Sequence, residues 1–180
     1  MAFLDKHKAI ETHATLLMVL SLLVVTIGGA SVGDHDLVGK VAADLGLERA
    51  FWKIAMRPGK PLMAGRLGAS LMLGLPGNPV SAIVCGHLFL LPMLRAMQGR
   101  PDVAPMPLTA RLTADLPPNG PRAHYMRARL SPGDGLPRIT PFASQDSALL
   151  RILTEADALL IRPQDDGPRR AGERVEYLPL

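Results

Sequence analysis

Cysteine is almost missing from this 180-residue chain: Cys85 stands alone, so no internal disulfide can form and a reducing, cytoplasmic setting is expected. Aromatic residues make up only 4%, which leaves few platforms for stacking bases. Charge of one sign is not concentrated either. The 20 Lys and Arg face 16 Asp and Glu spread along the chain, a net of +4, and no basic block points to nucleic acid. The uncharged apolar run 16–27 falls short of the about 20 residues that span a bilayer, so no membrane partner is expected. A secretory leader is the rival reading of that run, since a head bearing Lys6, Lys8 and His7 precedes it; Asp5 and Glu11 weaken it.

What is present is the composition of a packed protein, 48% apolar against 20% charged. The run 16–27 ends at Gly28-Gly29 and reads as a strand buried on both faces. Residues 36–45 carry apolar side chains at helical spacing, with Gly46 where a helix C-terminus wants it. Residues 51–56 read as a strand entering the turn Arg57-Pro58-Gly59-Lys60-Pro61, and 70–75 as another strand ending at Pro76-Gly77-Asn78-Pro79. Asn78 is a natural N-cap and Pro79 a natural first helical residue, so 80–98 reads as a long, mostly buried helix. Strands alternating with helices predict an α/β domain with a mostly parallel sheet, over residues 1–104. Beyond the proline-rich linker 99–107 come short strands at 108–112, 123–130, 136–140, 158–161 and 175–177, with one helical stretch at 147–153. These predict a small all-β, barrel-like domain over 105–180.

Three segments carry chemistry. The loop with Gly28, Gly29, Ser31 and Gly33 leaves a strand and enters a helix, the place where an open α/β sheet presents main-chain N–H groups to an anion. Asp34 and Asp36 flank His35 at that helix start; capping explains them, and so does a role in holding Mg²⁺, which takes carboxylate and phosphate oxygens together. In the second segment Lys53, Arg57 and Lys60 put three cations within eight residues, with Lys53 and Arg57 on one strand face by period-two geometry. Pro76, Gly77, Asn78 and Ser81 form the third, a second anion-ready helix start.

The strings 26–36, 51–61 and 74–82 together resemble the molybdopterin molybdenumtransferase family, with Pro76-Gly77-Asn78-Pro79-Val80-Ser81 the most specific. That resemblance implies insertion of molybdate into adenylated molybdopterin with release of AMP, in the presence of Mg²⁺, by a homodimer. It implies that Asp36 and Lys53 are catalytic, and that Asp36 with Asp34 holds the metal. It further implies that Gly28, Gly29, Ser31, Gly33, Pro76, Gly77 and Asn78 bind the molybdopterin or AMP phosphate. Molybdate would lie on Arg57, Lys60, Pro61, Ser81, Arg127 and Ser147. Family members commonly carry lysine where this chain has Arg57, and a guanidinium is not a point charge. They also carry two further domains ahead of the resembling region, so an N-terminally truncated α/β domain is expected. The alternative is an inactive remnant that binds anions or partner chains without turnover.

Overall fold

Leu23–Ile27 forms strand β1, which pairs in parallel with β5 (Ser70–Leu75). Strand β5 pairs antiparallel with β4 (Met63–Leu67), and β4 with β2 (Glu48–Trp52). The computed structural model describes residues 22–29, 37–146 and 149–180. These four strands and helix α1 (Leu37–Asp44) belong to the first of two compact units, built from residues up to 54 and from 61–77. Helix α1 ends as its sequence demands: Gly46 takes φ +85°, and the N–H of Leu47 closes on the carbonyl of Ala42 at 2.8 Å. It packs Val38, Ala42 and Leu45 onto Met63, Leu67 and Met72.

The α/β class is found, but the expected mostly parallel pairing needs correction: among the described residues one pairing of the three is parallel. The strand that makes the sheet mixed, β4, hides in the sequence because Gly65 and Arg66 interrupt its apolar residues. Gly65 is there for close approach. A Cβ at that position would lie 2.5 Å from the carbonyl oxygen of Glu48, where β2 bulges between Arg49 and Phe51. A second correction concerns β1, expected to be buried on both faces. It stands at the edge of the sheet among the described residues, leaving Ile27 70% and Val25 38% exposed.

The second unit contains residues 55–60 and 78–180. Strands β6 (Leu108–Leu112), β7 (Ala123–Ser131), β8 (Arg138–Pro141), β9 (Ala158–Arg162) and β10 (Arg174–Pro179) pair in the order β7-β8-β6-β10-β9. The β7–β9 pairing then closes the sheet into a five-stranded barrel. Closure leaves no free edge within the ring. Ala110, Leu112, Ala128, Ile139, Leu160 and Val175 fill the interior. A short helix, α3 (Leu150–Thr154), falls close to the helical stretch expected at 147–153. A two-residue strand, β3 (Met56–Arg57), adds in parallel to β7.

Helix α2 runs Pro79–Met97, with one π-helical turn at Gly86–Leu90. The Asn78 side chain accepts from the N–H of Ser81 at 3.3 Å, and Pro79 opens the first turn, as capping rules require. The helix is not mostly buried. Only 22% of its most apolar window is, and Ile83, Leu94 and Met97 are exposed. A sequence apolar on every side reads as core, yet one face alone, through Val80, Ser81, Val84 and Cys85, is covered. By length and mean hydropathy, 1.7, α2 also meets the measure of a membrane-crossing helix.

Candidate functional site

In the α/β unit, the C-terminal ends of the parallel strands β1 and β5 lie side by side, with Ile27 opposite Leu75. Gly28 and Gly29 take φ +81° and +72°, conformations that cost a side-chain-bearing residue about 1 kcal/mol or more. Gly28 donates its N–H to the carbonyl of Leu75 at 3.0 Å, and a Cβ on Gly77 would lie 3.2 Å from Gly28 Cα. Glycine therefore meets glycine where the loops after the two strands turn. This is the position at which an open α/β sheet offers its main chain to a ligand. Pro76 is buried and Gly77 exposed beside it. Thr26 adds a hydroxyl oxygen that is buried and has no hydrogen-bond partner among the described residues. Ser31, Gly33, Asp34 and Asp36 lie outside the described residues. Among those described, no group of three His, Cys, Asp or Glu side chains could hold a metal.

Lys53 and Arg57 do not share a strand face, which corrects the period-two expectation. Strand β2 stops at Trp52, and Lys53 takes φ +62° with its N–H on the carbonyl of Leu62 at 3.0 Å. Its ammonium sits 3.9 Å from the centroid of the Trp52 ring, a cation–π contact. Two residues later the main chain has joined the other unit: the N–H of Ala123 donates to the carbonyl of Ala55 at 2.9 Å, and β3 follows at Met56. Lys53 thus belongs to the α/β unit, as does Pro61, while Arg57 and Lys60 belong to the barrel unit.

Within the barrel unit the cationic turn is fixed at both ends. Arg57 is exposed, and one of its terminal nitrogens donates to Nδ1 of the buried His124 at 2.8 Å. The Arg57–Pro58 peptide bond is cis. Gly59, at φ +113°, is packed so closely on helix α2 that a Cβ would lie 2.4 Å from Cys85 Sγ. Burial in this contact pushes the Cys85 thiol up to about 12, so it stays protonated. Ser81 is four residues before Cys85, on the same helical face. The turn that carries Arg57 and Lys60 is therefore seated on the α2 face that carries Ser81, and Asn78 caps that helix.

Arg127 is 1% exposed on β7, three residues beyond His124. Strand alternation puts His124 on the side of Met126, Ala128 and Leu130, and Arg127 on the other. The Arg127 guanidinium is held by uncharged acceptors. Its Nε donates to Gln145 Oε1 at 3.3 Å and its Nη1 to the Asp146 carbonyl at 3.0 Å, while Gln145 Nε2 donates back to the Arg127 carbonyl at 3.0 Å. Burial lowers the pKa of Arg127, and the charge of Asp146 opposes that. Arg127 so ties down the chain just ahead of Ser147, which itself lies outside the described residues.

His124 and Gln145 are absent from the sequence-derived site. The contacts that give them roles, the pairing of β3 with β7 for His124 and the approach of the chain after β8 to Arg127 for Gln145, form only in the fold. Burial, and then the positive charges of Arg57, Arg127, Arg162 and Arg122, bring the His124 pKa down to about 3.

Comparison with known proteins covers both units. Residues 4–96 match the model described as "Probable molybdopterin binding domain", and residues 109–180 match "MoeA C-terminal region (domain IV)". The chain is 33% identical over 160 residues to a Haemophilus influenzae protein named molybdopterin molybdenumtransferase, covering 88% of this chain and 39% of that protein. It is 30% identical over 155 residues to the Bacillus subtilis protein of the same name, covering 86% and 36%. The crystal structure of a molybdopterin biosynthesis moea protein from Pyrococcus horikosii superposes with a TM-score of 0.74 at 26% identity, covering 94% of this chain and 40% of that one. The chain spans about two fifths of the length of these relatives.

Proposed function

This chain belongs to the MoeA-like molybdopterin molybdenumtransferase family of molybdenum cofactor biosynthesis, and we propose that it acts in the insertion of molybdate into adenylated molybdopterin with release of AMP. The observation that carries this reading is the seating of the cationic turn. Arg57 and Lys60 are fixed on the helical face of Ser81 by the Gly59–Cys85 contact, with Arg57 exposed and oriented by a buried partner. Two cations and a hydroxyl held in advance of the ligand suit a tetrahedral oxyanion, because little reorganisation is left to oppose binding. The glycine pair Gly28 and Gly77 supports the other half of the reading, a phosphate taken by main-chain N–H groups.

In this mechanism Arg57, Lys60 and Ser81 hold molybdate, and Arg127 braces the segment that brings Ser147. Lys53 and Asp36 attend the phosphoanhydride, and Asp36 with Asp34 would hold Mg²⁺ by the hard carboxylate donors such a cation takes, which would supply positive charge to the phosphate oxygens. A cytoplasmic homodimer completes the reading.

Two measurements test it. Calorimetric titration with molybdate is expected to show saturable binding that Lys60→Ala weakens by about tenfold, in line with the loss of one charge-assisted hydrogen bond; no binding by the parent chain overturns the oxyanion pocket. AMP release from adenylated molybdopterin with Mg²⁺ and molybdate is expected to disappear in Asp36→Ala. Binding with no AMP release by the parent chain leaves anion capture without turnover as the function.

A further inference from the structure

We propose that His124 is a positioning residue for the oxyanion pocket: through its unprotonated Nδ1 it holds the Arg57 guanidinium in place. The inference rests on the reading of Arg57 as an oxyanion ligand and adds a residue to it.

The argument starts from strand register. Arg57 on β3 stands opposite His124 on β7, and His124 stands opposite Arg162 on β9. Side chains of register partners lie on the same face of a sheet. An imidazole is thus flanked by two guanidinium-bearing neighbours across three strands. The two flanks are not equivalent. Arg162 is 3% exposed, and its donors are engaged: Nε on Asp166 Oδ2 at 2.5 Å, and Nη2 on the carbonyls of Pro117 at 3.1 Å and Gly167 at 2.8 Å. Arg57 is exposed, and among the described residues its side chain hydrogen-bonds only to His124. One flank is an anchor. The other is an exposed guanidinium, most of whose donors meet no protein group among the described residues.

Chemistry then fixes the state of the ring. A guanidinium only donates, so Nδ1 at 2.8 Å must accept, and the neutral ring must carry its proton on Nε2. A second proton would turn Nδ1 into a donor facing a donor. It would also set a positive ring among Arg57 on β3, Arg127 and Arg122 on the β7 side, and Arg162 on β9. Burial of His124 at 4% exposure adds to that cost, and the ring stays neutral throughout the range in which a free histidine titrates. The exposed arginine gains a fixed direction from this acceptor, and a pre-oriented fork loses less entropy on meeting an oxyanion.

The test combines a mutant cycle with direct observation of the ring. Molybdate and tungstate affinities are measured for the full chain, His124→Leu, His124→Asn, Arg57→Ala and the His124→Leu/Arg57→Ala pair. His124→Leu is expected to weaken binding about tenfold in the parent and to add nothing in the Arg57→Ala background; His124→Asn, which keeps an acceptor near the Nδ1 position, restores most of the loss. Without ligand, the nitrogen shifts of the His124 ring are expected to report an Nε2–H tautomer from pH 8 down to pH 5, with that tautomer preference lost when Arg57→Ala removes the donor. Equal cost of His124→Leu with and without Arg57, or titration of His124 near 6.5 in the parent, overturns the inference. A parent that binds neither oxyanion while His124 keeps its Arg57-dependent tautomer overturns the pocket reading instead, and with it the positioning role, leaving a structural pair.

Discussion

In the α/β unit the cations around the sheet lie at the surface, with Arg49 and Lys53 against the Trp52 ring; in the barrel unit His124, Arg127 and Arg162 are buried and each is met by named hydrogen-bond or ion-pair partners. The cores differ in the same sense. One is a small cluster around Met63, Leu67 and Met72 beside a sheet whose β1 edge no described strand covers, the other the interior of a closed ring. On the proposed reading, the contrast separates two ways of preparing for an anion. The α/β unit uses main-chain shape, through glycines that only their conformation explains, and needs no buried charge. The barrel unit uses side-chain charge, and must hold that charge by hydrogen bonds because the interior solvates it poorly.

The comparison breaks most visibly at Arg162. Replacing it with alanine removes one of the two arginines that hold the Asp166 carboxylate, 8% exposed, and is expected to cost about 3 kcal/mol. Hydrogen exchange is the suitable readout. Protection is expected to fall along β7, β9 and β10 while the β4–β5 pair keeps its own, and equal loss in both would show that the units do not unfold separately.

Next in size is a dependence on pH confined to the barrel unit. The His124 pKa is about 3 in the folded state and near 6.5 when unfolded, so between those values the unfolded state binds more protons. Stability therefore falls as pH drops through that window, by about 2 kcal/mol between pH 6.5 and 5. The lowered carboxylate of Asp166, shifted by its bonds to Arg169 and Arg162, acts in the same direction but only below the usual carboxylate range. Urea unfolding at a series of pH values checks this. His124→Asn is expected to flatten the slope above pH 5, and an unchanged slope would assign it to other groups.

The smallest effect belongs to the α/β unit. Thr26→Val replaces an unpartnered buried hydroxyl with a methyl of the same shape and is expected to raise stability by about 1 kcal/mol. A loss of stability on thermal unfolding would mean that the hydroxyl has a partner in the loop 30–36.

Much of this architecture is legible in the sequence because local chemistry and global fold agree. Asn78-Pro79 announces the start of α2, Gly46 the end of α1, and the alternation in Leu108–Leu112 a barrel strand. The failures have a common cause, namely that tertiary contact overrides a local pattern. Gly65 looks like a break until the Glu48 carbonyl is seen above it, and α2 looks like core although it is covered on one side. The candidate site follows the same rule. Arg57, Lys60 and Ser81 are visible as a motif, but the separation of Lys53 from Arg57 depends on which sheet the main chain joins after Trp52. His124 remained hidden because its role is set by a strand 67 residues away.

The path of the main chain carries a consequence for inheritance. It leaves the α/β unit after residue 54, contributes β3 and the cationic turn to the barrel unit, returns at Pro61 to build β4 and β5, and departs for good after Gly77. Three crossings mean that no single recombination point divides the molecule into its two units. A gene exchange at the proline-rich linker after α2 would pair an imported barrel with a β3 from another sequence, and so separate His124 from the arginine that it meets here. Selection thus acts on the two units as one heritable block. Variation in the cationic turn is tied to the β7 sequence that meets it, more than to the sheet from which the turn emerges.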